Sequence, residues 1–407
     1  MRKLKAWLAS LTALSCFCAS CLPITEQIPP MHSIFANAED TEEVITSGTC
    51  GENLTWNFEE STGTLTISGT GAMENWGFAD PSWYHLHEDI KKIILEDGVT
   101  TIENRAFNNC SSLISITIPD SVTTIGYGAF SHCSALESVT IPNGVETIGY
   151  ATFFHCSALK SVIIPNSVTT IGNNAFSACN ALTSFIIPDS VTTIGTYAFT
   201  NCDSLTSVSI SDSMTSIGEG DFYHCFSLEF VVIPDSITII NNHAFSYCPA
   251  LESIIIPDSV TTIEAFAFYY TGLTSVTIPD SVTTIGRGAF DCDFLTSITI
   301  ENPECEIYDE EYAISDTATI YGYDNSTAQA YAETYHRNFV SLGTAPALTD
   351  TNHTSTTWNG INPDIDGDGK IDASDATLIL VFSAEYGAGN INNFGEFMEN
   401  YQNKSYQ

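Results

Sequence analysis

The sequence predicts a predominantly β protein: a solenoid with a parallel sheet and a capping module at each end, followed by a small α-helical calcium-loop module. Three observations predict it. Seven cysteines stand 23 residues apart from Cys110 to Cys248, nearly every 23-residue unit contains an alternating apolar stretch ended by proline, and an aspartate-rich loop begins at Asp364. A fixed period of this size indicates a solenoid, in which each unit buries its apolar face only against its neighbours.

The repeat unit reads L-x-S-[IV]-x-I-P-D-S-V-T-T-I-G-x-x-A-F-x-x-C-x-x and occupies residues 90–300 in about ten copies. Its alternating first part predicts a short strand that ends at proline, because proline lacks an N–H. Pro-Asp-Ser or Pro-Asn-Ser predicts a turn, and the rest of the unit returns the chain with buried Val, Ile, Ala, Phe and Cys. One strand per coil, stacked about 4.8 Å apart, predicts a continuous parallel sheet roughly 45 Å long.

The N-terminal end of the array requires a cap, because the first coil would otherwise expose core and sheet edge. Residues 39–89 suit this cap, with a β-hairpin around Gly63. We interpret Trp56, Trp76 and Trp83 as the core of the cap, with stacking on a sugar as the alternative.

The C-terminal end is predicted to carry a cap over residues 301–343 that ends in a short helix from Ser326 to about His336. Residues 344–363 are rich in Thr, Ala, Pro, Asn and Gly without an apolar period, which is typical of a linker. A calcium-binding module over residues 364–407 follows it.

Residues 1–38 predict a secretory signal peptide. Basic residues at the N-terminus precede a short apolar run, and Ala36-Asn37-Ala38 offers a small-x-small cleavage site. The run is too short and too mixed for a membrane span. A lipoprotein signal through Cys21 is the alternative, although Cys18 stands where such a signal has leucine. The sequence therefore predicts a secreted, extracellular protein.

The charge balance restricts the possible partners. The chain has 49 acidic and 11 basic residues and a formal net charge of −38. Such a surface repels nucleic-acid phosphates and anionic membranes. Hydrophobic residues make up 43% of the chain, which is too many for a disordered acidic chain, so the charge is expected to coat a folded core.

The periodic cysteines predict a ladder of free thiols, in which each cysteine packs as a small apolar residue. Neighbouring members lie within disulfide reach, so bridging is the alternative, but parallel Cα–Cβ vectors disfavour its geometry and seven members cannot all pair. No C-x-x-C spacing follows the predicted signal peptide, so a thiolate zinc site is not expected.

Two sets of repeat residues are candidate binding surfaces. An outward apolar strip on the strands, here the sheet-side strip, is expected to bind a partner, although β-branched residues also suit strands without any function. The aromatic residues just after the repeat phenylalanine suit a glycan or a protein, or fill space beside it. The strip contains Ile163, Ile186, Phe230, Val232 and Ile255, and the second set contains Phe154, Tyr223, Tyr247, Tyr269 and Tyr270.

Two further columns have simpler explanations than metal binding. The Asp/Asn column after the repeat proline is explained by turn chemistry. His132, His155 and His224 share the position before cysteine, where Ala178 and Asn201 interrupt them. We interpret the histidines as a chance surface column.

The repeat unit resembles the leucine-rich repeats of the BspA-like family, which occur on exported proteins of anaerobic gut and oral bacteria. The segments 48–56 and 327–332 resemble the usual flanks of that family, so the resemblance covers about residues 48–343. It implies a leucine-rich-repeat solenoid. It does not imply one function, because such arrays have unrelated binding roles.

The loop from Asp364 to Asp375 has the spacing of a calcium site. Carboxylates at loop positions 1, 3, 5, 9 and 12, with glycine at 6, are arranged to wrap one ion, and position 7 supplies its carbonyl. The predicted ligands are Asp364, Asp366, Asp368, Lys370 through its carbonyl, Asp372 and Asp375.

The calcium loop and the apolar segment 376–384 resemble a type I dockerin module of cellulosome-forming bacteria. The loop ends in aspartate, as in dockerins, where an EF-hand has glutamate. The resemblance implies calcium-dependent binding to a cohesin module of a scaffoldin, with Ala373 and Ser374 helping to choose the cohesin. A dockerin normally has two calcium segments and only one is present here, so the module is about half-length.

These observations favour a secreted, non-catalytic binding or adhesion protein that recognises an unknown protein or glycan through its repeats. The dockerin-like module would tether it to a cellulosome or a cell-surface scaffold. The alternatives are a cellulosome-associated polysaccharide-degrading enzyme and a free adhesin with a vestigial dockerin. Neither G-x-S-x-G nor H-E-x-x-H occurs, and no singular acid pair stands out among the periodic acids.

Overall fold

A computed structural model describes residues 44–77 and 79–345, and residues 45–345 form stacked coils with a cap at each end. The predicted signal peptide, nearly all of the linker and the calcium loop lie outside the described residues.

One side of the coils carries the predicted parallel strands, which pair in register from coil to coil. The prediction of a continuous sheet is wrong, because the pairing is interrupted after Thr117, Ile163 and Val232. Six of these eleven strands have only three residues, so few ladder hydrogen bonds join neighbouring coils. The strands of this sheet side are Lys92–Leu95, Ser115–Thr117, Ser138–Thr140, Ser161–Ile163, Ser184–Ile186, Ser207–Ser209, Phe230–Val232, Ser275–Ile278, Ser297–Ile300, Thr319–Gly322 and Asn338–Ser341.

Each coil also contains a second, shorter strand formed by the Thr-Ile pair of V-T-T-I. The prediction of one strand per coil is therefore wrong, because this pair forms its own parallel ladder. The second-row strands are Gly71–Ala72, Val99–Ile102, Thr124–Ile125, Thr147–Ile148, Thr170–Ile171, Thr193–Ile194, Ser216–Ile217, Ile239–Ile240, Thr262–Ile263, Thr284–Ile285 and Glu306–Ile307.

The turns between the two rows form as predicted. The valine after Pro-Asp-Ser donates its N–H to the proline carbonyl, as Val122 does to Pro119 at 3.0 Å. Several of the turn serines also bond to the preceding coil, as Ser167 Oγ does to the Val145 carbonyl at 2.7 Å. The Asp/Asn column is exposed beside these turns, which agrees with turn chemistry as its main role.

The third side of each coil is a chain of turns, here the turn side, centred on the repeat phenylalanine. Numbering from that phenylalanine, the backbone N–H groups at positions −2, 0 and +2 donate to carbonyls of the next coil. In one coil these donors are Ala151, Phe153 and His155, at 2.8 to 2.9 Å. Positions −2 and +2 are left-handed, with φ between 53° and 63°. The eight coils from Phe107 to Phe268 therefore each place two residues in a backbone conformation that non-glycine residues adopt at a cost.

The core is a column of buried phenylalanine rings, one per coil, with neighbouring ring centroids 5.2 to 5.7 Å apart. The column contains Phe107, Phe130, Phe153, Phe176, Phe199, Phe222, Phe245, Phe268 and Phe290, all fully buried or nearly so.

The prediction of a free-thiol ladder is confirmed, since the cysteines of the described residues are buried and unbridged. Seven of these thiols have a partner that the sequence did not indicate, the carbonyl of the preceding coil's phenylalanine; they are Cys133, Cys156, Cys179, Cys202, Cys225, Cys248 and Cys292. Cys156 Sγ, for example, lies 3.1 Å from the Phe130 carbonyl. Burial raises the pKa of Cys156 to about 12, so the thiol stays protonated and serves as a hydrogen-bond donor. The Phe130 carbonyl thus accepts two bonds, since it also accepts from the Cys133 N–H at 3.1 Å.

One coil departs from the pattern at Asp221, where neighbouring coils have Ala198 and Ala244. Its side chain is buried, and Oδ2 accepts from the Gly218 N–H at 2.7 Å. The corresponding Gly195 N–H instead donates to Ile171 of the preceding coil, at 2.8 Å. The diverted Gly218 bond coincides with an interruption of the second row between Ile194 and Ser216.

The carboxyl of Asp221 lies in an unfavourable environment. Its Oδ1 atom has no hydrogen-bond partner among the described residues. Burial raises the pKa of Asp221 to about 7, although the backbone N–H groups of Gly218 and Ala198 oppose the shift.

The N-terminal cap begins with strand Ser47–Gly51 and the predicted hairpin, whose strands are Leu54–Glu59 and Thr64–Gly69. A 3-10 helix at Tyr84–Leu86 follows. Trp83 stacks on Phe107 with ring centroids 5.7 Å apart, and its Nε1 donates to the Ala106 carbonyl at 2.9 Å. The indole thus replaces both the ring and the N–H of a preceding coil.

The predicted C-terminal helix is confirmed as Thr327–Thr334, with Ser326 as its N-cap. The Ser326 hydroxyl accepts from the Gln329 N–H at 3.1 Å, which satisfies one free donor of the first turn. Within residues 44–77 and 79–345, no helix is long and apolar enough to cross a membrane.

Candidate binding surface

The sheet-side strip is partly exposed. Ile163 is 62% exposed and Ile186 is 56% exposed, both in the middle of the array. Phe230, Val232 and Ile255 are half-buried. The exposed apolar part of the strip is therefore shorter than the sequence pattern indicates.

A larger group of side chains lies on the turn side of the C-terminal half of the array. We call it the aromatic surface, and its members are the partly exposed rings of Tyr197, Tyr223, His224, His243, Tyr247, Phe266, Tyr269 and Tyr270.

The rings of the aromatic surface form a continuous network. Tyr247 is at its centre, with centroid distances of 5.7 Å to Tyr223, 5.4 Å to Tyr269 and 5.3 Å to Tyr270. His243 stacks on Phe266 at 5.0 Å and joins the network through Tyr223. Offset and edge-to-face arrangements of this kind are favourable for aromatic rings, so the surface is preformed.

Most members of the aromatic surface occupy the left-handed positions of their coils. Tyr197, His243 and Phe266 are at position −2, whereas His224, Tyr247 and Tyr270 are at position +2. Other coils place Gly128, Asn174 or Asn201 at these positions, as expected from their tolerance of positive φ. Ala151 and Ala178 adopt the same conformation in other coils, so the backbone does not require rings at these positions. The clustering of rings in one part of the array therefore points to a role for the side chains themselves.

The aromatic surface is neutral near pH 7 and lies beside carboxylates. Burial lowers the pKa of His224 and His243, against the opposing charges of Asp203 and Glu219 respectively. Burial and the neighbouring Tyr247 raise the pKa of Tyr269 to about 12. The hydroxyl of Tyr197 donates to Glu219 Oε1 at 3.0 Å.

The predicted aromatic set divides in two. Tyr223, Tyr247, Tyr269 and Tyr270 belong to the aromatic surface, whereas Phe154 packs on His155, with centroids 4.4 Å apart.

His155 in turn stacks on His132 at 4.9 Å. Both histidines border a polar open cleft of about 360 Å³. Across the part of the chain that the structure describes, no three His, Cys, Asp or Glu residues converge as a metal site.

Sequence reasoning missed Tyr197, His243 and Phe266. They share one repeat position, because Tyr197, Gly220, His243 and Phe266 follow at 23-residue steps. Position −2 lies four residues before position +2, and the coil geometry brings both onto one surface. Aligning the units and reading that column would have identified these rings.

A family profile described as "BspA type Leucine rich repeat region" matches the chain in six copies. The matched segments are residues 80–206, 170–295 and 215–328, which together span more than half of the chain. The chain belongs to the BspA-type leucine-rich repeat family. The predicted resemblance to this family is thereby confirmed for the repeats.

The chain is also similar to solved structures of leucine-rich repeat proteins. A leucine-rich repeat protein from Bacteroides ovatus is 30% identical, with a TM-score of 0.54, over 67% of this chain and 70% of that chain. A leucine rich cell surface protein from Faecalibacterium prausnitzii is 22% identical, with a TM-score of 0.41, over 81% and 99% of the respective chains. No curated protein matches the sequence.

Proposed function

We propose that this BspA-type repeat protein is a secreted, non-catalytic binding or adhesion protein that recognises a protein or glycan through the aromatic surface. The observation that carries the proposal is the network of partly exposed rings at left-handed positions. Tyrosine supplies a large, rigid contact area with a hydroxyl at its edge, so it is common in binding surfaces. Secretion is proposed from the signal-peptide pattern of residues 1–38.

Other coils of the repeat show which residue can replace the rings without disturbing the backbone. Asparagine occupies position −2 at Asn174 and position +2 at Asn201. The triple substitution His243→Asn, Tyr247→Asn and Tyr270→Asn therefore removes three rings without imposing a residue that the backbone disfavours.

We expect the triple variant to weaken partner binding about tenfold or more, because well-placed aromatic anchors dominate interface energies. The measurement is binding of the full chain to arrays of extracellular proteins and glycans, followed by titration of each bound partner. Tyr150→Ser is the matched control, since Tyr150 is 58% exposed and lies outside the aromatic surface.

The sheet-side strip remains a second proposed surface because Ile163 and Ile186 are exposed. The double variant Ile163→Ser and Ile186→Ser is tested in the same titrations. Binding lost only in this variant would move recognition to the strip, and binding retained in both variants would contradict recognition through either surface.

The C-terminal calcium loop is proposed to tether the protein. Its five carboxylates and central glycine fit one calcium ion, and its likeness to a dockerin suggests a cohesin of a scaffoldin as the partner. A cellulosome or cell-surface scaffold is then the proposed location. The alternative of a free adhesin makes a different prediction, because it needs no cohesin.

We expect the full chain to bind at least one member of a cohesin panel in calcium and to lose that binding in a chelator. Asp364→Ala combined with Asp375→Ala is expected to abolish both calcium binding and cohesin binding, because these residues are the first and last ligands of the loop. Asp350→Asn, in the predicted linker, is the control. Calcium binding is measured by calorimetry and cohesin binding by capture of the full chain. Equal cohesin binding in calcium and in chelator would contradict the proposed calcium-dependent tether.

A further inference from the structure

We propose that the partner of the aromatic surface is a basic protein segment whose arginine side chains bind among the rings and their neighbouring carboxylates. This inference rests on the proposed function and specifies the chemistry of the partner. It is carried by the charge distribution of the array, by contacts of the ring network and by two arginines of the chain itself.

The aromatic surface lies in a stretch without basic side chains. From residue 161 to residue 286 the sequence contains 11 acidic residues and no lysine or arginine. The field over this half of the array is therefore attractive to cations. An anionic glycan would be repelled, and a neutral glycan would gain nothing from the charge.

Carboxylates of this stretch and of the next coil lie beside the rings. Glu219 Oε1 accepts a hydrogen bond from the Tyr197 hydroxyl at 3.0 Å. Asp203 acts electrostatically on His224, and Asp291 on Tyr269. A guanidinium group bound at the rings could therefore stack on an aromatic face and donate its N–H groups to a carboxylate.

The chain shows this mode of contact twice. The guanidinium carbon of Arg287 lies 5.8 Å from the ring centroid of Phe266, at the C-terminal edge of the aromatic surface. The Arg287 Nε also donates to Glu310 at 2.8 Å. Arg105 lies over Tyr127 at the same distance, in the N-terminal half. Arginine stacked on a turn-side ring is therefore a contact that this scaffold accommodates.

The extent of the surface favours a segment over a small cation. Tyr197 and Phe266 are three coils apart, which corresponds to about 14 Å at the usual strand spacing. An extended peptide of several residues spans this distance, with a side chain about every second residue on one face. A protein segment with repeated arginines fits both the length and the charge.

The test uses the full chain and a synthetic peptide of alternating arginine and serine. Lysine–serine and glutamate–serine peptides of equal length and a neutral cello-oligosaccharide are the comparison ligands. We expect the arginine peptide to bind most tightly, the lysine peptide more weakly and the glutamate peptide not at all, because guanidinium stacks on rings better than ammonium. Binding is measured by fluorescence anisotropy and calorimetry.

Two variants separate the rings from general charge. The triple asparagine variant is expected to weaken arginine-peptide binding about tenfold. Each cation–π contact makes a modest contribution to the binding free energy, and the variant removes three rings that can make such contacts. Glu219→Gln keeps an acceptor for Tyr197 but removes a charge, so we expect a few-fold loss that shrinks at high salt. Tyr150→Ser is again the control, and thermal unfolding confirms that each variant folds.

Equal binding of the arginine peptide to the wild type and the triple variant would overturn the inference, because charge alone would then explain it. Ring-dependent binding of the oligosaccharide without the arginine peptide would also overturn it and indicate a glycan partner. A third outcome is that proteins or glycans found on the binding arrays require the rings while the arginine peptide neither binds nor displaces them. In that case the proposed function stands and this inference fails.

Discussion

Replacing Asp221 with alanine is expected to stabilise the protein, and to do so increasingly as the pH rises. The folded pKa of Asp221 is about 7, whereas an unperturbed aspartate titrates near 3.9. Between these values the folded state holds a proton that the unfolded state has released. The free energy of unfolding of the wild type therefore falls as the pH rises through this window.

The expected size follows from the shift. At pH 8 the raised pKa costs on the order of 4 kcal/mol of stability, and at pH 5 roughly 1 to 2 kcal/mol, since one pKa unit corresponds to about 1.4 kcal/mol. Alanine removes the charge and restores the residue found in neighbouring coils at Ala198 and Ala244. Asp221→Asn should give part of the gain, because it keeps an acceptor for the Gly218 N–H.

Urea unfolding at pH 5 and pH 8 measures the effect. Asp189→Asn is the control, because Asp189 is an exposed turn aspartate and Asn166 fills the same repeat position. A gain for Asp221→Ala that is equal at both pH values would show that ionisation of Asp221 is not the cause.

Replacing Phe199 with alanine is expected to lower the free energy of unfolding by about 3 to 5 kcal/mol, the usual loss for a buried phenylalanine. Phe199 contacts three rings: Phe176 at 5.5 Å, Phe222 at 5.7 Å and Phe185 at 4.6 Å. Its removal leaves a cavity in the middle of the column, where the two halves of the array meet. In a solenoid, coupling between halves depends on such nearest-neighbour interfaces.

Phe294→Ala is the matched control, because Phe294 is 63% exposed. We expect its effect to stay within about 0.5 kcal/mol, as for ordinary surface substitutions. Chemical unfolding monitored by far-UV circular dichroism measures both variants. Similar losses for the two would contradict the role assigned to the column.

The periodic part of the fold was predictable because the same residues recur in the same environment. Phe153 and Cys156 are buried as their 23-residue period indicates. The hairpin around Gly63 and the helix cap at Ser326 follow from local turn and capping chemistry, which needs no tertiary information.

The second-row strands were not predictable from local pattern. Thr170–Ile171 has only two residues, too few for an alternation to be recognised. The Cys156 bond to the Phe130 carbonyl was also hidden, since it joins residues 26 apart through the stacking of coils.

The aromatic surface was predictable only in part, for a conformational reason. The left-handed positions of the repeat array hold residues as different as Gly128, Asn174 and Phe266. Residue type therefore does not encode this conformation. The hydrogen bonds between coils impose it, as the Phe266 N–H shows by donating to Arg287 of the next coil at 2.7 Å.

On the turn side, the backbone hydrogen bonds donated at positions −2, 0 and +2 run from each coil to the next, so the array has two chemically different ends. At the N-terminal end, the Ala106 carbonyl of the first full coil accepts from the Trp83 indole N–H. At the C-terminal end, the Phe290 N–H donates to the Ala313 carbonyl of the cap. The caps are therefore not interchangeable. Every interior junction is nearly equivalent, however, so duplication or deletion of one complete coil leaves both terminal junctions intact, and the ring network can lengthen or shorten during evolution by whole coils.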